Sequence, residues 1–116
     1  MMTAEGLCGF LRSRRFRLNT ERQVQDGIDA ELARAGIAFE RECRLSAADV
    51  VDFLVEGIAL EVKISGGTLD IYRQLERYAA HDRVQSIILA SNVATTMPEE
   101  IKGKPTHFVN LGRAWL

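Results

Sequence analysis

Two runs rich in β-branched residues, Val50–Val55 and Ile58–Ile64, are separated only by Glu56-Gly57. A two-residue connection between such runs predicts a tight antiparallel hairpin. With Val55 opposite Ile58, the register sets Phe53 against Leu60, Val51 against Val62 and Asp52 against Glu61. Side chains alternate across a sheet. One face then carries Val51, Phe53, Val55, Ile58, Leu60 and Val62, all apolar, and must pack on a core. The other carries Val50, Asp52, Leu54, Ala59, Glu61 and Lys63.

Asp52 and Glu61 are therefore expected directly opposite each other, with Lys63 two positions along. Like charges so placed cost about 0.2–1 kcal/mol relative to neutral partners. A divalent cation between them reverses the sign. Mg²⁺ takes one or two carboxylates and completes its shell with waters and phosphate oxygens. Lys63 adds a fixed positive charge beside the water or the phosphate. The spacing alone leaves a second reading open, in which the three residues line a solvated face and Lys63 neutralises Glu61.

The remaining segments supply a scaffold. Thr20 and Gln23 have capping-box spacing, Val24, Ile28 and Leu32 follow at helical intervals, and Gly36 is placed to end that helix. Ala38–Leu45 alternates as an edge strand, with Phe39, Arg41, Cys43 and Leu45 on one face. Thr68 is expected to cap a helix running to His81, with Ile71, Leu75, Tyr78 and Ala79 as its apolar stripe. Val84–Ala90 reads as a buried strand, parallel to the preceding one because a helix joins them. His107–Leu111 is a candidate last strand, and Trp115 a core plug or an interface anchor. The expected class is α/β, an αβββαβ core with a mixed sheet flanked by helices. Residues 1–18 are read as a basic arm or a short helix, and 19–116 as one domain.

This order of elements, with Asp52 on one hairpin strand and Glu61-Val62-Lys63 on the next, resembles the PD-(D/E)XK nuclease superfamily. The resemblance covers about Thr20 to Asn92, with Val51 standing where the nominal Pro would be. It implies a restriction-endonuclease-like fold and Mg²⁺-dependent hydrolysis of phosphodiester bonds, with Mn²⁺ as a substitute. Asp52, Glu61 and the main-chain carbonyl of Val62 would hold the metal. Lys63 would orient the attacking water and stabilise charge on the phosphate. Two further features fit. Many members carry a Glu on the first helix, and Glu21 falls within the roughly 80° arc spanned by Val24, Ile28 and Leu32. Glu31 is the alternative acid. Gln74 and Tyr78, four apart, match a QxxxY element in which Gln helps hold the site and Tyr touches substrate.

DNA is the substrate the resemblance implies, and a chain of 116 residues suits recognition of a structure such as a junction, flap or end. A homodimer would present two sites to a branched substrate. Net charge is only −1, yet Arg12, Arg14, Arg15 and Arg17 crowd one stretch, and Arg outnumbers Lys twelve to three. These arginines, with Arg73 and Arg77, are the expected phosphate contacts. A non-catalytic nucleic-acid-binding or protein-interaction module on the same fold is the rival reading. Cys8 and Cys43 have no metal-ligand spacing, and a reducing cytoplasm suits them. His81 and His107 are isolated, no Gly-rich loop is followed by Lys-Ser/Thr, and no apolar run approaches a membrane span.

Overall fold

The structure is a computed structural model that describes residues 1–93 and 95–112. The chain runs α1 (Ala4–Arg12), α2 (Glu21–Arg34), β1 (Glu40–Arg44), β2 (Val50–Val55), β3 (Ile58–Lys63), α3 (Thr68–Ala79), β4 (Ser86–Ser91), β5 (Glu100–Ile101) and β6 (Lys104–Asn110). The strands form one six-stranded mixed sheet in the order β1-β2-β3-β4-β6-β5. β1, β2 and β3 are antiparallel neighbours, while β3, β4 and β6 run parallel. The helices cover both faces. Leu7 and Leu11 of α1 and Val24, Ile28 and Leu32 of α2 pack with Phe53, Val55, Leu60 and Val62 on one side. Ile71, Leu75 and Tyr78 of α3 pack with Ala59, Ile87 and Leu89 on the other.

Local chemistry explains the boundaries. Thr20 Oγ1 accepts from Gln23 N–H at 3.1 Å and opens α2. Gly36 follows it at φ +72°, a left-handed conformation that suits glycine. Helix α3 begins differently from expectation. Gly67 is its N-cap, without a side-chain bond, and Thr68 is already helical. The helix closes at Ala79, with Ala80 as C-cap, instead of reaching His81. At the far edge, β5 and β6 form a hairpin that the sequence reading did not include. Its turn is Lys102-Gly103, with φ of +52° and +77°, a backbone that matches strand twist. Strand β6 is also longer than the expected His107–Leu111. Trp115 lies outside the described residues.

Two expectations about faces are overturned. Phe39 packs with the α2-side core, while Cys43 and Leu45 pack with the α3-side core. On the neighbouring strand, Val51 joins the α3-side cluster, away from Phe53. Both reversals occur across the same step. Glu42 has φ +50°, and strict alternation fails between Arg41 and Cys43 and, on the facing strand, between Phe53 and Val51.

The N-terminal segment is no detached arm. Thr3 Oγ1 caps α1 by accepting from Gly6 N–H at 3.0 Å, and Leu7, Cys8 and Leu11 are buried. The helix lies against β6 and β4. The basic residues conceal an amphipathic pattern of only nine residues. Among the described residues no helix is long and apolar enough to cross a membrane.

Leu7 is fully buried, so Leu7→Ala should destabilise the protein by about 2–5 kcal/mol in urea denaturation. A change under about 0.5 kcal/mol would return α1 to the status of an arm.

Candidate active site

The hairpin ladder pairs Val55 with Ile58, Leu54 with Ala59 and Phe53 with Leu60, as the turn dictates. It does not continue to Asp52 and Glu61. The N–H of Asp52 donates to Glu61 Oε1 at 3.1 Å, and the N–H of Val62 donates to Asp52 Oδ2 at 2.8 Å. Each carboxylate reaches across and takes a backbone hydrogen from the opposite strand. The expected flush pair is thus replaced by an opened hairpin end held by its own carboxylates. The cause lies in the neighbours. β3 stays in register with β4 as far as Lys63 and Ser91, while β2 follows β1 through the irregular step at Glu42.

Around this opening the other elements place four more side chains. Lys63 Nζ lies 3.4 Å from Glu61 Oε2. The Tyr78 hydroxyl donates to the Val50 carbonyl at 2.9 Å and lies 3.3 Å from Glu61 Oε2. Gln74 Nε2 donates to that same hydroxyl oxygen at 2.8 Å. From the start of α2, Glu21 Oε2 accepts from Ile64 N–H at 3.1 Å. Asp52, Glu61, Lys63, Gln74 and Glu21 are therefore gathered in one place, with the backbone of Val62 between them. Glu31 is elsewhere, paired with Arg14 and Arg34.

Burial dominates the electrostatics. Glu61 is only 2% exposed. Burial, followed by the charge of Asp52, pushes its carboxyl up to about 8. Asp52 is also raised, first by burial and further by the charge of Glu21, against the opposing pull of Val62 N–H and Lys63. Burial and the Glu61 and Asp52 charges raise the Tyr78 phenol, which stays protonated and donating.

Among the described residues, three acidic side chains share the opening with one cation, Lys63. Among the described residues, no group of three or more His, Cys, Asp or Glu side chains is placed to hold a metal ion. The donors present are hard carboxylate oxygens without His or Cys, which fits Mg²⁺ with retained waters and does not fit a structural zinc.

Several expected substrate contacts sit differently. Tyr78 is 1% exposed and braces Glu61 from within, so its ring has no route to a substrate. Arg77 Nε is paired with Asp49 Oδ1 at 3.1 Å. Arg73 is exposed on α3. Arg12 donates to the Phe108 carbonyl, and Arg14 stacks on Phe10 and pairs with Glu31. Arg15 and Arg17 line a hollow of about 320 Å³ along α2 with Gln23 and Gly27. The N-terminal arginines are not brought together with the carboxylates, because α1 uses its apolar face to dock beside β6. Asp49 was not anticipated. It is buried, accepts from Arg77 and lies 2.9 Å from His81 Nε2, which holds its carboxyl below the usual range. A single Asp before a strand carries no sequence signal of such a role.

No protein-family model matches this chain, and searches of curated proteins and of solved structures returned no match.

In the metal-free protein Glu61 binds a proton in the folded state up to about pH 8, whereas the unfolded carboxyl loses it near 4.5. Folded protein then holds more protons, so stability falls as pH rises between those values, by at most about 1.4 kcal/mol per pH unit. Melting in EDTA should show this slope, and Glu61→Gln should flatten it. An unchanged slope in the variant would place the titration elsewhere.

Proposed function

We propose that the protein is a Mg²⁺-dependent nuclease with a restriction-endonuclease-like fold, hydrolysing phosphodiester bonds in DNA. One observation carries the reading: two facing acids, a buried Glu61 and a half-buried Asp52, each tied to the opposite strand's backbone, beside Lys63. A merely structural site has little reason to keep Asp52 and Glu61 together in a poorly solvated place, since a buried carboxylate without a counter-charge is costly. The mixed sheet with helices on both faces agrees with the fold the resemblance implies.

In this reading Asp52, Glu61 and the Val62 carbonyl hold the metal. When bound, Mg²⁺ supplies Lewis-acid polarisation of the phosphate and favours deprotonation of a water. Lys63 stands where it can orient the attacking water and offset charge on the phosphate. Water adds at phosphorus, the ester oxygen departs, and it takes up a proton. Tyr78 and Gln74 are positioning residues that fix Glu61, and Glu21 holds the Ile64 backbone behind Lys63. Mn²⁺ fits the same oxygen donors. The choice of DNA rests on the resemblance.

The Lys63–Glu61 contact favours a second reading, a non-catalytic nucleic-acid-binding module in which Lys63 neutralises Glu61. The two separate cleanly. With labelled linear, flap and four-way-junction DNA, the nuclease cleaves in Mg²⁺ or Mn²⁺ and not in EDTA. Lys63→Ala should lose about 10²-fold or more of that rate while still binding DNA. Binding without cleavage of any substrate, and melting unaffected by Mg²⁺, would favour the module.

A further inference from the structure

Beyond Lys63 the rim of the site continues along the sheet. β3, β4 and β6 run parallel, so their C-terminal ends share one edge, where Lys63, Ser91 and Asn110 are register partners. The row two residues earlier is Glu61, Leu89 and Phe108. Leu89 and Phe108 belong to the α3-side core, so both rows face that side of the sheet. Ligands of parallel sheets occupy the region just beyond the carboxyl ends of the strands.

The two polar residues in this row are oriented by their own backbone. Ser91 Oγ accepts from Val93 N–H at 2.9 Å, and Asn110 Oδ1 accepts from Gly112 N–H at 2.9 Å. Ser91 is fully buried, so its part ends with shaping the turn. Asn110 is exposed, and its amide is fixed end for end. The oxygen is held by Gly112, which leaves the two Nδ2 hydrogens as the free end. Among the described residues Nδ2 makes no hydrogen bond, whereas Oδ1 does. Gly112 permits the approach, since a Cβ there would come within 3.2 Å of Asn110 Oδ1.

We propose that Asn110 is a substrate-positioning residue, and that the phosphodiester backbone engaged at Lys63 passes over the buried Ser91 to the Nδ2 donors of Asn110. The proposal rests on the nuclease reading and extends its substrate path across two strand spacings, about 10 Å. An amide donating to a phosphate oxygen sets the register of a strand and carries no base information, which suits a substrate chosen by structure.

Asn110→Asp keeps an oxygen for Gly112 N–H, and so keeps the turn, but replaces the outward donors with a negative charge. Asn110→Ser retains an oxygen and a donor without that charge. Binding of labelled single-stranded and flap DNA is measured by fluorescence anisotropy in EDTA, and cleavage in Mg²⁺, for the full chain and both variants. Asn110→Asp should raise Kd and KM about tenfold, with kcat within about twofold and an unchanged melting temperature. Asn110→Ser, whose short hydroxyl lacks the reach of both Nδ2 hydrogens, should raise Kd and KM about threefold or more with kcat unchanged, and it carries the comparison if the Asp variant melts early. Unchanged Kd and KM in the Asp variant, or a loss confined to kcat, overturns the proposal even where the unaltered protein cleaves. Weakened binding by the Asp variant of a protein that cleaves nothing overturns the nuclease reading and leaves the backbone path standing. Absence of DNA binding by the unaltered protein overturns both.

Discussion

Two hydrogen bonds at the open end of the hairpin organise everything around them. Where regular pairing would join Asp52 and Glu61 backbone to backbone, Asp52 N–H and Val62 N–H are satisfied by carboxylate oxygens from the facing strand. A buried backbone N–H needs an acceptor, so the separation of β2 from β3 is tolerable only because these side chains fill it. The same exchange fixes one oxygen of each carboxylate and leaves the other for Lys63, Tyr78 or a ligand. Replacing either acid therefore removes a backbone acceptor from the facing strand, and coupling between the two positions is expected to be strongly non-additive.

The two flanking layers have different tasks. On the α3 side, Gln74 and Tyr78 form a short chain of hydrogen bonds ending on Glu61 and on the Val50 carbonyl, linking the helix to both hairpin strands. Arg77 and His81 extend that link to Asp49, just before β2. On the opposite side, α2 contributes Glu21 from its first turn, and α1 completes the apolar layer over β6 and β4. The carboxylates are thus held from both faces by regular elements, the arrangement that gives a site its precision.

Much of this was legible in the sequence, for physical reasons. Glu56-Gly57 permits little besides a hairpin turn, and the turn fixes the register that brings Asp52, Glu61 and Lys63 together. Helical spacing correctly grouped Ile71, Leu75, Tyr78 and Ala79, and it put Gln74 within reach of Tyr78. What escaped reading depends on departures from periodicity or on distant partners. Strict alternation breaks at Glu42, which has a positive φ, and at the facing step before Phe53, so Cys43 and Val51 lie on the other face, and no alternation rule anticipates that. The arginines of 12–17 mark the segment as basic, whereas the apolar stripe of Leu7 and Leu11 seats α1 in the core. The QxxxY resemblance implies that Tyr78 touches substrate, whereas burial turns its hydroxyl inward to Glu61. The hairpin of β5 and β6 was missed because a two-residue strand has no periodicity to detect.

The claim that Asp52 and Glu61 are kept together for a divalent cation makes a calorimetric demand. At pH 7 most Glu61 carries a proton in the metal-free protein, because burial and Asp52 raise its carboxyl to about 8. A cation that uses this oxygen must expel that proton. Titrating Mg²⁺ into the metal-free protein at pH 7, in two buffers of different ionisation enthalpy, should show net proton release on binding, and Asp52→Asn should abolish the binding. Binding without proton release, or no binding at all, would contradict the account.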